Sequence, residues 1–447
     1  MEQKIVIIGG GAGGMTCAAQ LIKLLPNDEI ILFEKGPYVG WAGCPTPYYI
    51  SGELSFNSVV HNTPDFFREK GIKVYENHEV KLINFQEKFI EVEGENIKGS
   101  FSYDKLILSL GGKAIIPNFT GYKEGIENIF RLSHALDAEK IKDFVVTKNP
   151  KKAIIVGGGF IGLEMAEALK FDYMDIELIE LQETLFPRLN KSVSDELIKK
   201  AGEKSIKLRL GEKVSEIIHE NNIFKGVVLD SGEKVEGDML LMAIGITPNL
   251  DLLVKSDFHF SEGNRVYVNE YMETDIEDVY ALGDLVFNEH KMTGKMVYAP
   301  FGDVADKQAI LLTKHLSGKS IPWKGVSGSF AFSFFNLKVA GTGLNLDEAK
   351  AFGYNAKERY IKAFSKVGGF GSDYTSKINV IYDEDTKLIL GAFGIGKEAV
   401  AQFIDQFAIV ITMKIPIDEL FNIDFPYSPT NSSVWNPLLA LYRVVMK

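Results

Sequence analysis

Only two cysteines, Cys17 and Cys44, occur among the 447 residues, so no disulfide framework organises the chain, and two lone thiols fit a reducing compartment. None of the seven histidines falls at metal-ligand spacing, and no metal site is expected. Positive charge is in deficit. Lys and Arg number 49 against 60 Asp and Glu, a formal charge of −11. Neither nucleic acid nor an anionic membrane would be drawn by that field, and neither is expected as a partner. An anionic substrate would need a local basic patch. Long apolar runs are missing as well: residues 407–413 form one of the longest, far too short to span a bilayer. No small-residue cleavage site separates Met1-Glu2-Gln3-Lys4 from the apolar run at residues 5–8, which makes the cytoplasm the expected location. Repeats and low-complexity tracts are absent, and the one polar joint is Ser317-Gly318-Lys319-Ser320.

What remains is an ordinary globular composition, 46% hydrophobic and 24% charged, with length for two or three domains. A strand pattern at residues 5–8 runs into Gly9-x-Gly11-x-x-Gly14, then a helix pattern over residues 15–25, then a strand at residues 30–33 closed by Glu34. Glycines at this spacing allow a tight turn and let a pyrophosphate approach the helix N-terminus, while Glu34 can bond a ribose 2′-hydroxyl. The same grammar recurs. A strand at residues 153–156 leads to Gly157-x-Gly159-x-x-Gly162, a helix through Lys170 and a strand at residues 176–179 ending in Glu180. Two such units predict two dinucleotides. An acid at Glu180 repels the extra phosphate of NADP, and Leu181 and Gln182 supply no Arg to bind it, so NADH is the expected partner of the second unit.

A third segment, Thr274-Asp275-Ile276-Glu277-Asp278-Val279-Tyr280-Ala281-Leu282-Gly283-Asp284, resembles the second FAD motif of the pyridine nucleotide-disulfide oxidoreductases. The resemblance implies that Asp284 binds the ribityl and pyrophosphate region of FAD. It extends to the connecting segments Ser109-Leu110-Gly111-Gly112 and Ala243-Ile244-Gly245-Ile246-Thr247-Pro248-Asn249, which implicates Gly111 and Gly245 beside the cofactors. The expected fold is α/β: two Rossmann-like dinucleotide-binding domains, for FAD and NAD, plus a C-terminal α+β dimerisation domain. Residues 1–115 and 250–320 are assigned to FAD, 116–249 to NAD and 321–447 to dimerisation. In the last part, Phe330, Phe332 and Phe334 alternate as in a half-buried strand, Ile378, Val380 and Tyr382 begin a hairpin, and residues 399–413 follow a helical period.

Chemistry falls to Cys44. Pro45 is suited to a helix's first turn, so Cys44 reads as its N-cap, where unpaired N–H groups would favour thiolate over thiol. Cys17, flanked by Thr16 and Ala18 behind the phosphate loop, reads as an inert packing residue. The residue five places after Cys44 is Tyr49, which excludes a dithiol within this loop and resembles the single-cysteine branch of the family. That branch contains CoA-disulfide reductases, persulfide or polysulfide reductases, and NADH oxidases and peroxidases. The oxidases and peroxidases commonly carry a His where this chain has Ala12, which tilts the expectation toward sulfur chemistry. Gly40-Trp41-Ala42-Gly43 before the thiol, Gln20-Leu21-Ile22-Lys23 in the first helix and the Gly371–Tyr374 segment all depart from strict CoA-disulfide reductases. Tyr427 resembles a tyrosine that the family sends across a homodimer interface to the partner's thiol, a catalytic proton or hydrogen-bond donor.

The expected function is FAD-dependent oxidation of NADH coupled through Cys44 to a low-molecular disulfide, persulfide or polysulfide, with CoA or a derivative as a candidate substrate handle. Two alternatives stand beside it: an NADH oxidase or peroxidase cycling through Cys44 sulfenic acid, and an NADH-dependent reductase for a protein partner.

Overall fold

The computed structural model describes residues 2–95, 97–171, 174–186, 188–260, 265–367 and 375–447, the side chain of Phe171 excepted. Two parallel sheets have strands that are apolar on both faces and are covered on both. In one, Lys4–Ile8 lies between Glu29–Phe33 and Lys105–Leu108, with Lys73–Tyr75 and Val279–Ala281 as edges. The last of these strands comes from far along the chain, so the sheet closes only after the chain has built another unit and returned. That unit centres on Lys152–Val156, flanked by Asp175–Glu180 and Met239–Met242, with Lys207–Leu210 and Ile129–Phe130 outside. The outgoing and returning segments meet: Gly112–Ala114 pairs antiparallel with Ile246–Pro248.

Each central strand feeds a helix through its glycines. Ala12–Leu24 packs its buried Cys17, Ala18 and Leu21 over the first sheet and against the helix Gly302–Leu316. Phe160–Phe171 covers the second sheet with Leu163, Met165 and Ala166. The C-terminal part is a five-stranded antiparallel sheet in the order Phe330–Phe334, Leu337–Gly343, Ile389–Gly396, Thr375–Asp383, Ala356–Phe364. Phe330, Phe332 and Phe334 all point inward, as their alternation requires, and Val400–Met413 lies across the sheet. The expected α/β class with an α+β C-terminal part is therefore the observed one. The segment at residues 371–374 is outside the described residues. No described helix is long and apolar enough to cross a membrane.

Candidate active site

Both glycine loops open onto one cavity of about 1640 Å³. They are built alike. The Gly11 carbonyl accepts from Met15 N–H at 3.0 Å, and the Gly159 carbonyl from Leu163 N–H at 3.0 Å, so each second glycine starts its helix. At Gly14 a Cβ would stand 1.9 Å from the Gly9 carbonyl oxygen, and at Gly162 1.9 Å from that of Gly157, so a side chain at either position would force helix and strand apart. Gly11, Gly111 and Gly159 show the opposite: a Cβ there would meet nothing within 4 Å, because these backbones face the open cavity. Such bare peptide groups at a helix start suit a pyrophosphate, and the residues present fit two dinucleotides.

Glu34 and Glu180 do a job that the sequence reading did not foresee. Glu34 is buried and accepts from Gly10 N–H at 2.8 Å and Gly36 N–H at 2.7 Å. Glu180 accepts from Gly158 N–H at 2.6 Å and Gln182 N–H at 2.8 Å. Each carboxylate straps its own glycine loop while facing the cavity, so its ribose-binding role would come on top of a structural one. Asp284 lines the same cavity at the start of the short helical turn Gly283–Leu285, and burial pushes its carboxyl up to about 6. Ala12 and Gly245 are also in the cavity wall.

Cys44 opens into this cavity, but the cap expectation fails. The helix is Thr46–Ser51 with Pro45 at its cap, one residue beyond the thiol. Thr46 N–H and hydroxyl both donate to the Gly43 carbonyl, at 3.1 and 2.6 Å, so a tight turn holds Cys44 just before the helix cap. Six residues give little dipole in any case. The expected lowering of the thiol pKa is reversed. Enclosure by the cavity walls and the nearby Glu164 carboxylate push Cys44 up, outweighing one favourable backbone hydrogen bond, with Asp303 adding a smaller push in the same direction. Cys17 is buried, and burial pushes its thiol up strongly.

Several lining residues escaped the sequence reading. Glu164 stands one helical turn beyond Phe160, on the same face, and burial followed by the Glu167 charge pushes its carboxyl up to about 7. Its signal was available in the i, i+4 spacing from the glycine loop. Phe160 packs against Phe186, Phe330 and Phe332 at ring-centroid distances of 4.4, 5.5 and 5.3 Å, fastening the second nucleotide unit to the C-terminal sheet at the cavity wall. Trp41, three residues before the thiol, lies over His134 at 4.7 Å. Tyr427 lies outside the cavity on the C-terminal part, 54% exposed.

Comparisons with known proteins agree with this geometry. A family profile described as pyridine nucleotide-disulphide oxidoreductase matches residues 3–302, and that family's dimerisation domain matches residues 329–438. The chain is 30% identical over 447 residues to an NAD(P)H sulfur oxidoreductase (CoA-dependent) of Pyrococcus abyssi, covering 100% of this chain and 98% of the relative. It is 29% identical to a coenzyme A disulfide reductase of Staphylococcus haemolyticus, covering 96% of each. A solved NAD-dependent persulfide reductase from A. fulgidus superposes with a TM-score of 0.93 at 28% identity, covering 99% of this chain and 83% of that one. Two dinucleotide cradles around one thiol, continued by an antiparallel dimerisation sheet, thus make this chain a member of the pyridine nucleotide-disulphide oxidoreductase family.

Proposed function

We propose that the chain oxidises NADH and reduces a low-molecular disulfide, persulfide or polysulfide at Cys44. The observation that carries this reading is the shared cavity: the thiol, both glycine cradles and Asp284 all open into one space. The first cradle, with Gly9, Gly11, Gly14, Glu34, Gly111 and Asp284, would hold FAD, and the second, with Gly157, Gly159, Gly162, Glu180 and Gly245, would hold NADH. FAD in the first cradle supplies the capacity to accept a hydride and to pass electrons on in pairs. Cys44 supplies the sulfur chemistry. Its thiolate attacks one sulfur of the acceptor, forming a mixed disulfide or persulfide and expelling a thiolate or a shorter polysulfide. Two electrons, drawn overall from NADH, then return Cys44 to thiolate as the second sulfur product leaves. The sum is NADH, one S–S bond and a proton giving NAD⁺ and two reduced sulfur products: two thiols from a disulfide, a thiol and hydrogen sulfide from a persulfide, and hydrogen sulfide with a shorter polysulfide from a polysulfide.

The names carried by the relatives, sulfur oxidoreductase and coenzyme A disulfide reductase, support an S–S acceptor. Tyr427 would act in a homodimer, donating a proton or hydrogen bond to the thiolate that leaves the partner's site. The test is NADH-dependent turnover by the FAD-loaded enzyme with CoA disulfide, polysulfide, dioxygen and hydrogen peroxide. Sulfur acceptors should give the higher kcat/KM. Faster turnover with dioxygen or peroxide would move the reading to an oxidase or peroxidase.

A further inference from the structure

The strand-end acid Glu180 does not stand alone at the ribose end of the second cradle. Glu212 N–H donates to the Glu180 carbonyl at 3.1 Å and Gly211 N–H to the Gln182 carbonyl at 2.9 Å, clamping the 211–213 loop onto the 180–182 loop. Glu180, Leu181, Gln182, Glu212 and Lys213 all line the cavity there. We propose that Glu212 is a second determinant of the choice between NADH and NADPH, forming with Glu180 a carboxylate wall around the adenosine ribose.

The charge arrangement supports it. Arg209 reaches Glu212 at 3.2 Å, but Glu177 and Glu233 share the same guanidinium, so three carboxylates converge on one cation. Lys152 and Lys207 are taken up by Glu177 at 2.7 and 2.9 Å. Lys213 pairs with Asp230 at 3.5 Å, and Arg188 turns toward the C-terminal sheet, with Glu348 at 3.8 Å. Arg209, Lys213 and Arg188 each already face a carboxylate, while among the described residues Glu180 accepts from the N–H groups of Gly158 and Gln182. A 2′-phosphate would bring close to two negative charges against two carboxylates, whereas the 2′-hydroxyl of NADH can donate to either.

The proposal rests on the reading that the second cradle takes the nicotinamide dinucleotide. Its test is calorimetric titration of the FAD-loaded enzyme with adenosine 5′-monophosphate and adenosine 2′,5′-bisphosphate, beside kcat/KM for NADH and NADPH. Discrimination against the bisphosphate should shrink by about threefold in Glu212→Gln, the order expected of one half-exposed charge, and further in Glu180→Gln/Glu212→Gln. Glu212→Asp, which keeps the charge, should retain it. Unchanged discrimination in Glu212→Gln, with a shift in Glu180→Gln, would overturn the Glu212 proposal and leave the NADH reading standing. Loss of discrimination in Glu212→Asp equal to that in Glu212→Gln would also overturn it, since packing and not charge would then be responsible. Wild-type enzyme that binds neither nucleotide and is not reduced by NADH would remove the reading and the proposal together.

Discussion

A thiol reacts as its thiolate, so Cys44 depends on what surrounds it. The carboxylate of Glu164 and the enclosing walls disfavour the charged form. Glu164→Gln removes the more influential of the two nearby negative charges, and the midpoint of Cys44 alkylation against pH should move to lower pH; an unchanged midpoint would show that Glu164 does not set it. Cys17 should stay unlabelled in the folded protein, since it is fully buried. Residue-scale reading of the sequence failed at Cys44 because the start of a helix is decided by a turn, here the bonds from Thr46 to Gly43. Proline placement alone does not reveal that turn. Glu180 was legible as a strand-end acid, whereas Glu212 was not, because only the folded loops bring it alongside.

Elements built from local grammar were the legible part of the fold. Glycine spacing, an apolar strand and an acid one unit later lie within about 30 residues, the span of one βαβ unit. The contacts between distant segments, such as Gly112–Ala114 with Ile246–Pro248, have no such local signature. The two glycine loops should separate functionally. Gly14→Ala should abolish FAD retention, whereas Gly162→Ala should keep the flavin absorbance but weaken NADH binding on the order of a hundredfold or more, a loss of ~2.7 kcal/mol. Retention of both cofactors by both variants would contradict the close approaches of 1.9 Å.

The strand Asp175–Glu180 carries a second test at this scale. Burial alone would raise the Glu177 carboxyl, but Arg209, Lys152 and Lys207 outweigh it and hold it down to about 2. A depressed acid stabilises the folded state above its unfolded pKa, and that contribution is lost as pH falls from about 4.5 to about 2. Glu177→Gln should therefore destabilise the protein at pH 7 by on the order of 3 kcal/mol and flatten its acid limb between those values. Denaturant midpoints at several pH values measure it. A variant whose midpoint moves in parallel with wild type would show the cluster to be neutral in energy.

At the scale of the whole molecule, the C-terminal part exposes Ile409, Met413, Phe421 and Trp435, more apolar surface than a small terminal unit ordinarily leaves bare. A symmetric dimer would cover it, and the matching dimerisation domain agrees. Sedimentation should give twice the chain mass of 49.7 kDa, and Tyr427→Phe should keep that mass while slowing only reduction of the sulfur acceptor. A fully active monomer would end the shared-site account. The central claim is that Cys44 and no other group carries electrons to sulfur, and rapid mixing of FAD-loaded Cys44→Ser tests it most directly. Flavin bleaching by NADH should proceed near the wild-type rate, while reoxidation by CoA disulfide or polysulfide should fall on the order of a thousandfold, about 4 kcal/mol of lost barrier reduction. Reoxidation by those acceptors at the wild-type rate would contradict the account.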